Sequence, residues 1–325
     1  MMYSLDEVGI VPSSEPTKIK SRSEIDCKIN NKLPVFVAPM CCIINEDNYL
    51  DFLEANVNII IPREKDNLDF RMSICDKHWT AFSLNEFKTC FIDNTVNFTA
   101  NILIDIANGH MQYLYDLVKD AKSKYPKINI MVGNIAHPEL YYICYKAGVD
   151  YVRVGIGGGN GCLTSVLTGI HTSLQWILTG IKEIQNQIKL TPCTHNLPKV
   201  IADGGVDTVA KMIKCLALGA DYVMCGKLFA ECAEACGEIL PGGKYRLYYG
   251  MASEHGKKAL GNSTSYIEGC SSYVEIKHSV KKFVDSFEEA LRSAMSYTNS
   301  MTLKEFKKVK TEIMSLNEFI AFDKN

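Results

Sequence analysis

Short apolar runs alternate with longer amphipathic segments along most of the chain. Eight of these runs are nearly continuously apolar and rich in β-branched residues. Runs of this kind are typical of parallel strands that are covered on both faces of a sheet. The eight predicted strands lie at residues 35–39, 57–62, 79–84, 101–107, 128–134, 151–156, 198–205 and 221–226.

The segments between these runs have helical spacing. The segment after the fourth run places Leu114, Leu117 and Ala121 on one face and ends before a proline. Segments 138–150 and 207–221 each reach a glycine just before the next strand, as helices often do. Eight successive strand–helix units predict an α/β fold, a (β/α)8 TIM barrel. An open doubly wound sheet is the alternative, because periodicity does not establish closure.

No linker or low-complexity tract interrupts the alternation, so the pattern predicts one domain over residues 1–325. Its parts are an N-terminal segment (1–34), the barrel with its active-site loops (35–283) and a helical tail (284–325).

The composition is that of a soluble globular chain, with 47% hydrophobic and 22% charged residues and a net charge of −2. This balance argues against nucleic acid or a membrane surface as a partner. No apolar run approaches the roughly 20 residues of a membrane helix, and the first residues do not resemble a signal peptide. We therefore expect a cytoplasmic protein whose thirteen cysteines are free thiols.

Polar residues and glycines follow the predicted strands directly. They occupy 105–110, 155–162, 203–205 and 225–227. Since the carboxyl ends of barrel strands meet on one face and carry the chemistry there, these segments predict the active site.

The loops after the last two predicted strands have the composition of a phosphate site. Gly204, Gly205 and Gly226 allow the backbone to wrap an anion, and Lys227 adds a positive charge. The carboxylate of Asp203 only accepts hydrogen bonds, which suits two ribose hydroxyls. An Asp-Gly pair also occurs in ordinary turns, but two such loops on successive strands favour phosphate.

Cys162 follows the glycine-rich loop after the sixth predicted strand. At the barrel mouth a thiolate would be a nucleophile, and the loop carbonyls would suit a monovalent cation. A buried, inert cysteine is the alternative.

The stretch GIGGGNGCLT (155–164) resembles the active-site loop of the inosine monophosphate dehydrogenase and guanosine monophosphate reductase family, whose pattern is GIGxGxxCxT. Further motifs resemble those of the family in the same order: APM (38–40), DIANGH (105–110), IADGGV (201–206), YYGMAS (248–253) and LRSAMSYT (291–298). The resemblance covers nearly the whole chain. It implies a (β/α)8 barrel that is usually a homotetramer.

The resemblance implies that Cys162 attacks purine C2 and that Thr164 moves protons at the departing group. The residues implied around a purine nucleotide are Met40, Asn160, Asp203, Gly204, Gly205, Gly226, Lys227, Tyr248, Gly250, Met251 and Ala252. Those implied on the nicotinamide side are Asp105, Ala107, Asn108, Gly109, Ser253 and Tyr297. The implied potassium ligands are the backbone carbonyls of Gly157, Gly159 and Cys162.

Three features resemble the reductases of the family more than the dehydrogenases. The chain has no inserted regulatory tandem domain, and residues 254–267 are too few for the long dehydrogenase flap and hold no Arg-Tyr pair. Glu268 matches the reductase glutamate that pairs with the threonine and relays a proton to departing ammonia; a solvated loop acid is the alternative. The resemblance thus implies reductive deamination of GMP to IMP and ammonia, with NADPH and a K⁺ ion.

The chain also departs from the family pattern. Leu163 and Ser165 replace a threonine and an arginine, Ser265 stands where an arginine is expected, and Lys227 replaces a small residue. IMP dehydrogenase is therefore an alternative, as is an enzyme or sensor for a modified purine nucleotide. A phosphosugar-binding barrel would explain 203–205 and 225–227 but not the glycine loop.

Overall fold

The computed structural model of the protein describes residues 3–93, 99–192, 195–261 and 266–314. Its strands are β1 (Val8–Ile10), β2 (Val35–Val37), β3 (Ile60–Ile61), β4 (Trp79–Phe82), β5 (Asn101–Asp105), β6 (Asn129–Ile135), β7 (Tyr151–Val154), β8 (Lys199–Asp203), β9 (Tyr222–Cys225), β10 (Tyr245–Tyr249), β11 (Ser271–Glu275) and β12 (Thr311–Ile313).

The helices alternate with the strands over most of the chain. They are α1 (Tyr49–Glu54), α2 (Leu68–Ile74), α3 (Leu84–Phe87), α4 (Gln112–Lys124), α5 (Leu140–Ala147), α6 (Thr164–Thr168), α7 (Leu174–Lys189), α8 (Val209–Ala217), α9 (Lys227–Ala230), α10 (Glu254–Ala259), α11 (Val280–Tyr297) and α12 (Leu303–Phe306). Within the described ranges, no helix is both long and apolar enough to cross a membrane.

Eight parallel strands form one sheet in the order β2-β9-β8-β7-β6-β5-β4-β3. A single parallel bridge between Phe36 and Asn58 joins its two ends, and the Val37 amide donates to the Asn58 carbonyl at 2.9 Å. The predicted (β/α)8 barrel is therefore confirmed. Each of the eight predicted runs overlaps one of these strands, and only β6 extends beyond its run, by one residue at Ile135.

Successive side chains of the strands point to opposite faces of the sheet and form two separate apolar clusters. The cluster inside the barrel includes Phe36, Ile60, Leu103, Met131 and Met224, all nearly or fully buried. The larger cluster lies between the strands and the surrounding helices. Because both faces are covered, the strands have the continuous apolar character seen in the sequence.

The amphipathic helices lie where their spacing predicts. Leu114, Leu117 and Ala121 are buried on α4. Helix α5 ends at Gly148, which adopts a φ of +78°, a conformation that costs a glycine little.

The structure differs from the prediction outside the barrel. The hairpin of β10 and β11 was not predicted. The predicted helical tail at 284–325 is only partly helical: α11 begins at Val280, and β12 pairs antiparallel with β1. Strand β12 has three residues, which are too few for a sequence pattern to indicate a strand. It forms by pairing with β1 in the N-terminal segment. Residues 315–325 lie outside the described ranges.

Candidate active site

A cleft of about 360 Å³ opens at the carboxyl ends of the barrel strands. It brings together most of the residues singled out in the sequence. The predicted residues in its wall are Met40, Asp105, Ala107, Gly157, Gly159, Asn160, Cys162, Thr164, Asp203, Gly204, Gly205, Gly226, Lys227, Tyr248, Gly250, Met251, Ala252 and Glu268.

A thiol, a hydroxyl and a carboxylate are hydrogen-bonded in series within the cleft. The Cys162 thiol donates to Thr164 Oγ1 at 3.2 Å, and the Thr164 hydroxyl donates to Glu268 Oε2 at 2.9 Å. Cys162 lies on the loop that joins β7 to α6, whereas Glu268 precedes β11. The arrangement provides a path for a proton from the sulfur to a carboxylate.

Backbone contacts between two loops hold this series together. The Leu163 amide donates to the Glu268 carbonyl at 2.7 Å, and the Cys270 amide donates to the Gly161 carbonyl at 3.1 Å. The segment before β11 thus lies alongside the loop that carries Cys162 as a short antiparallel pair. Glu268 is fixed next to Thr164 by main-chain geometry, and not by its side chain alone.

Glycine is required where this loop meets the end of β10. A Cβ on Gly250 would lie 2.2 Å from the Gly161 carbonyl oxygen, and a Cβ on Gly161 would lie 2.8 Å from the Gly250 amide nitrogen. Any larger residue at either position would push the two loops apart.

The loops after β8 and β9 form another part of the wall. Gly204 and Gly205 adopt φ values of +87° and +73°. A Cβ on Gly226 would come within 3.0 Å of the Tyr248 hydroxyl and 2.9 Å of the Met40 sulfur, so these three residues are in close contact. Burial raises the pKa of Tyr248, which keeps the phenol neutral and able to donate a hydrogen bond.

A network of buried charges crosses the floor of the cleft. The Arg153 guanidinium lies 2.9 Å from Asp105 Oδ1 and 3.3 Å from Asp203 Oδ2, and it donates to Asn134 Oδ1 at 2.6 Å. Asn134 Nδ2 in turn donates to Asp203 Oδ2 at 2.8 Å. Arg63 approaches the other Asp105 oxygen at 3.3 Å.

The network sets the charge of its members. Burial alone would raise the pKa of Asp105, but Arg153 and Arg63 outweigh it, and the pKa lies below its ordinary value. Burial likewise opposes the charge of Arg153, yet Asp203 and Asp105 raise its pKa. Asp105 is therefore an anion held between two cations.

The match to known proteins agrees with this geometry. A family profile described as "IMP dehydrogenase / GMP reductase domain" matches residues 90–319. The chain belongs to this family. Its members include proteins named GMP reductase from Staphylococcus epidermidis, 30% identical over 95% of this chain and 95% of the relative. The protein named GMP reductase from Lactobacillus johnsonii is 30% identical over 98% of this chain and 96% of its own length. The one from Ligilactobacillus salivarius is 29% identical over 95% of each chain.

Four residues that the family resemblance places at the cofactor lie outside the wall of the cleft. Gly109 is buried and its amide donates to the Asn134 carbonyl, while the Asn108 side chain accepts from the His110 amide. Ser253 is buried as the N-cap of α10. Tyr297 is 66% exposed at the end of α11. Helix α11 packs against α8 on the outside of the barrel, and the cofactor role of Tyr297 stays a prediction.

The sequence pattern did not single out Arg63, Asn134 or Arg153. Arg153 did leave a signal, since it is a charged residue inside the otherwise apolar run YVRV. A buried charge of this kind needs a partner, and two are supplied, Asp203 at the end of the neighbouring strand β8 and Asp105 at the end of β5, two strands away. The expected position of the missing arginine, Ser265, lies outside the described residues.

Proposed function

We propose that the chain is a GMP reductase, which uses NADPH to convert GMP to IMP and ammonia through a covalent bond between Cys162 and purine C2. The observation that carries the proposal is the hydrogen-bonded series Cys162–Thr164–Glu268 in the cleft. A protein that only binds nucleotides needs neither a nucleophile nor a proton path. The relatives named GMP reductase support the same activity.

In this mechanism the Cys162 sulfur bonds to C2 as its proton passes to Thr164 Oγ1. The Thr164 hydroxyl gives its own proton to Glu268, which must be ionised to accept it. Returned through Thr164, that proton converts the C2 amino group into a leaving ammonia. NADPH, when bound, supplies the hydride for C2, and the Cys162 sulfur then leaves as a thiolate.

The cleft also offers groups for the rest of the nucleotide. All the contacts described above for Asp203 fall on Oδ2, so Oδ1 can accept from ribose hydroxyls. The backbone of Gly204, Gly205 and Gly226 and the Lys227 ammonium suit the phosphate. Met40, Tyr248 and the segment 250–252 complete the wall, and Met251 would lie near the base.

Two buried donors in the floor of the cleft support binding of the nicotinamide end of NADPH there. Nε of Arg63 and Nε of Arg153 are buried and have no hydrogen-bond partner among the described residues. Such donors are costly unless a ligand satisfies them, and an amide oxygen is a suitable acceptor. Asp105 and Ala107 line the cleft at the same place.

The proposed K⁺ ligands are of the right type. Backbone carbonyls are the ligands that K⁺ takes in proteins. Gly157 has a φ of +81°, and the Gly159 carbonyl accepts the Cys162 amide at 3.0 Å, which leaves a second lone pair. An ion held by Gly157, Gly159 and Cys162 would stiffen the catalytic loop.

We also propose that the protein is a cytosolic homotetramer. The twelve cysteines for which the structure gives contacts and burial are free thiols, as expected in a reducing compartment. Exposed apolar residues adjoin the catalytic loop at Val166, Leu167 and Ile170, which suits a subunit interface.

The test is nicotinamide absorbance with GMP and NADPH in potassium buffer, for the natural chain and two variants. Cys162→Ala should abolish NADPH oxidation, because no other group in the proposal bonds to C2. Cys270→Ala is the matched control, since this cysteine is on the adjoining segment but outside the cleft wall. It should retain activity.

A parallel reaction with IMP and NAD separates the alternatives. NADH formation there, without NADPH loss with GMP, would assign the chain as an IMP dehydrogenase. GMP binding without turnover in either reaction would favour a modified purine substrate or a sensor.

A further inference from the structure

A second cavity, of about 620 Å³, lies at the opposite end of the barrel from the cleft. Its floor is formed where two strands begin, at Asn129 and Tyr151, and Lys199 at the start of a third strand lies on the rim. Its sides come from the second half of α4, the end of α5 and the residues that precede β8. None of these residues belongs to the candidate active site.

The cavity concentrates positive charge. Lys119, Lys122, Lys146 and Lys199 line it, whereas among the described lining residues Asp150 supplies the one carboxylate. The whole chain has a net charge of −2. Four cations gathered from α4, α5 and β8 repel one another unless an anion lies between them.

Asp150 does not neutralise the group. Its Oδ2 lies 2.6 Å from Lys122 Nζ and also accepts the Ile130 amide at 2.7 Å. Lys122 further donates to the Ile128 carbonyl at 2.7 Å. This pair is satisfied and forms part of the floor.

The other three lysines lie at the rim, and carboxylates do not fully neutralise their charges. Among the described residues, Lys146 has no carboxylate within ion-pair distance. Lys199 lies 3.7 Å from Asp221, but that carboxylate also holds Lys307 at 2.5 Å and the Val200 amide at 2.8 Å. Asp116 is 3.8 Å from Lys119 in an exposed pair, which is weak.

The ends of the helices account for only two of the four lysines. Cations near the ends of α4 and α5 are favoured by the helix dipole, which explains Lys122 and Lys146. Lys119 lies earlier in α4, and Lys199 begins a strand. Ser123 and Asn196 add further hydrogen-bond donors to the same cavity.

We propose that this cavity binds a polyphosphate group, either as inorganic polyphosphate or as the phosphate chain of a nucleoside triphosphate. Its three rim ammonium groups match an anion of several charges better than a monophosphate or a carboxylate. The volume is within the range of small-molecule sites, roughly 300–1,000 Å³. The proposal does not depend on the activity of the cleft.

The test is calorimetric titration of the full chain with inorganic tripolyphosphate. The variant Lys146→Gln/Lys199→Gln should bind it at least about tenfold more weakly, because two charged hydrogen bonds are lost. Lys281→Gln/Lys304→Gln removes the same charge elsewhere on the surface and should change affinity by no more than about twofold. All four positions are exposed, and thermal melts check that the variants fold.

Further titrations identify the source and the place of binding. Tighter binding of ATP than of tripolyphosphate, with adenosine inactive, would assign a nucleotide; equal binding would assign the phosphates alone. Lys227→Gln reports on the cleft. Loss of binding in that variant only, equal binding in all chains, or no binding at all would each overturn the proposal.

Discussion

At the residue scale, a single hydroxyl connects the proposed nucleophile, Cys162, to the proposed proton acceptor, Glu268. Thr164 Oγ1 is 3.2 Å from Cys162 Sγ and 2.9 Å from Glu268 Oε2, and these atoms are the described contacts of its side chain. The Cys162 thiol donates to this hydroxyl, and the Glu268 carboxylate accepts from it. Neither group can take the place of the hydroxyl between them. Thr164 is therefore the residue that tests the proton path directly.

Thr164→Val should lower kcat for GMP by about 10²–10⁴-fold with little change in KM, the range of general acid–base catalysis. Valine keeps the shape of threonine and removes only the hydroxyl. Steady-state kinetics measure the effect, with Thr168→Val as the matched control on the exposed side of α6. Equal loss in the two variants would indicate damage to the helix, and would contradict a proton role.

The buried charges around Arg153 contribute to stability as well as to the site. Asp105→Asn should lower the free energy of unfolding at neutral pH by about 3 kcal/mol, because Arg153 and Arg63 lose a buried counter-charge. Urea denaturation measures the loss. Asp285→Asn removes a carboxylate from the exposed ion pair with Lys281 and should lower the free energy of unfolding far less.

The same substitution has a predicted pH dependence. The pKa of Asp105 is lowered in the folded chain, so the unfolded chain binds a proton more readily. Its stabilising contribution is complete above the ordinary aspartate value of about 3.9 and is lost as pH falls through the folded value. The difference between the natural chain and Asp105→Asn should thus be constant from pH 7 to 5 and shrink at lower pH. A difference that grows on acidification would contradict this assignment.

At the scale of elements, the catalytic loop depends on the hairpin that follows the barrel. The end of β10 touches the loop at Gly250, and the segment before β11 carries Glu268. Two elements outside the barrel sheet therefore complete the site.

Gly250→Ala should destabilise the chain by about 2 kcal/mol and disturb the Cys162 loop, because its Cβ would meet the Gly161 carbonyl at 2.2 Å. The melting temperature reports the first effect and NADPH oxidation the second. Gly158→Ala is a matched substitution, since its Cβ would meet nothing closer than 3.5 Å. If both variants melt alike, the loop contact is not as tight as the structure indicates.

The sequence pattern did not predict this hairpin. Strand β10 contains Arg246, which is fully buried and donates to the carbonyls of Gly237, Ala230, Cys232 and Ala233. Strand β10 pairs with β11 and lies outside the alternation of strand and helix that identified the barrel. Strand β11 has three exposed residues, so it lacks the continuous apolar run of the barrel strands.

At the scale of the whole molecule, an apolar surface adjoins the catalytic loop. Val166, Leu167 and Ile170 are 79%, 51% and 54% exposed, although large apolar residues are seldom grouped on a monomer surface. The proposed tetramer would cover them.

Light scattering after gel filtration should therefore give the mass of four chains. Val166→Lys/Leu167→Lys should shift the protein toward smaller species, since a buried charge without a partner disfavours association. Leu190→Lys is the control at a separate residue that is 87% exposed. A monomer in the natural chain would contradict the proposal.

By itself the sequence determined the positions of the eight barrel strands, the glycines at their ends and the location of Cys162. These features are local, because apolar runs and glycine spacing are set within a few residues. The resemblance to the family placed Glu268 beside Thr164, 104 residues away, and the structure shows that contact. Only the tertiary structure decided that Arg153 joins Asp105 to Asp203. The same holds for the lysines of the second cavity. Such contacts depend on how the strands close into a barrel, and no local pattern records that closure.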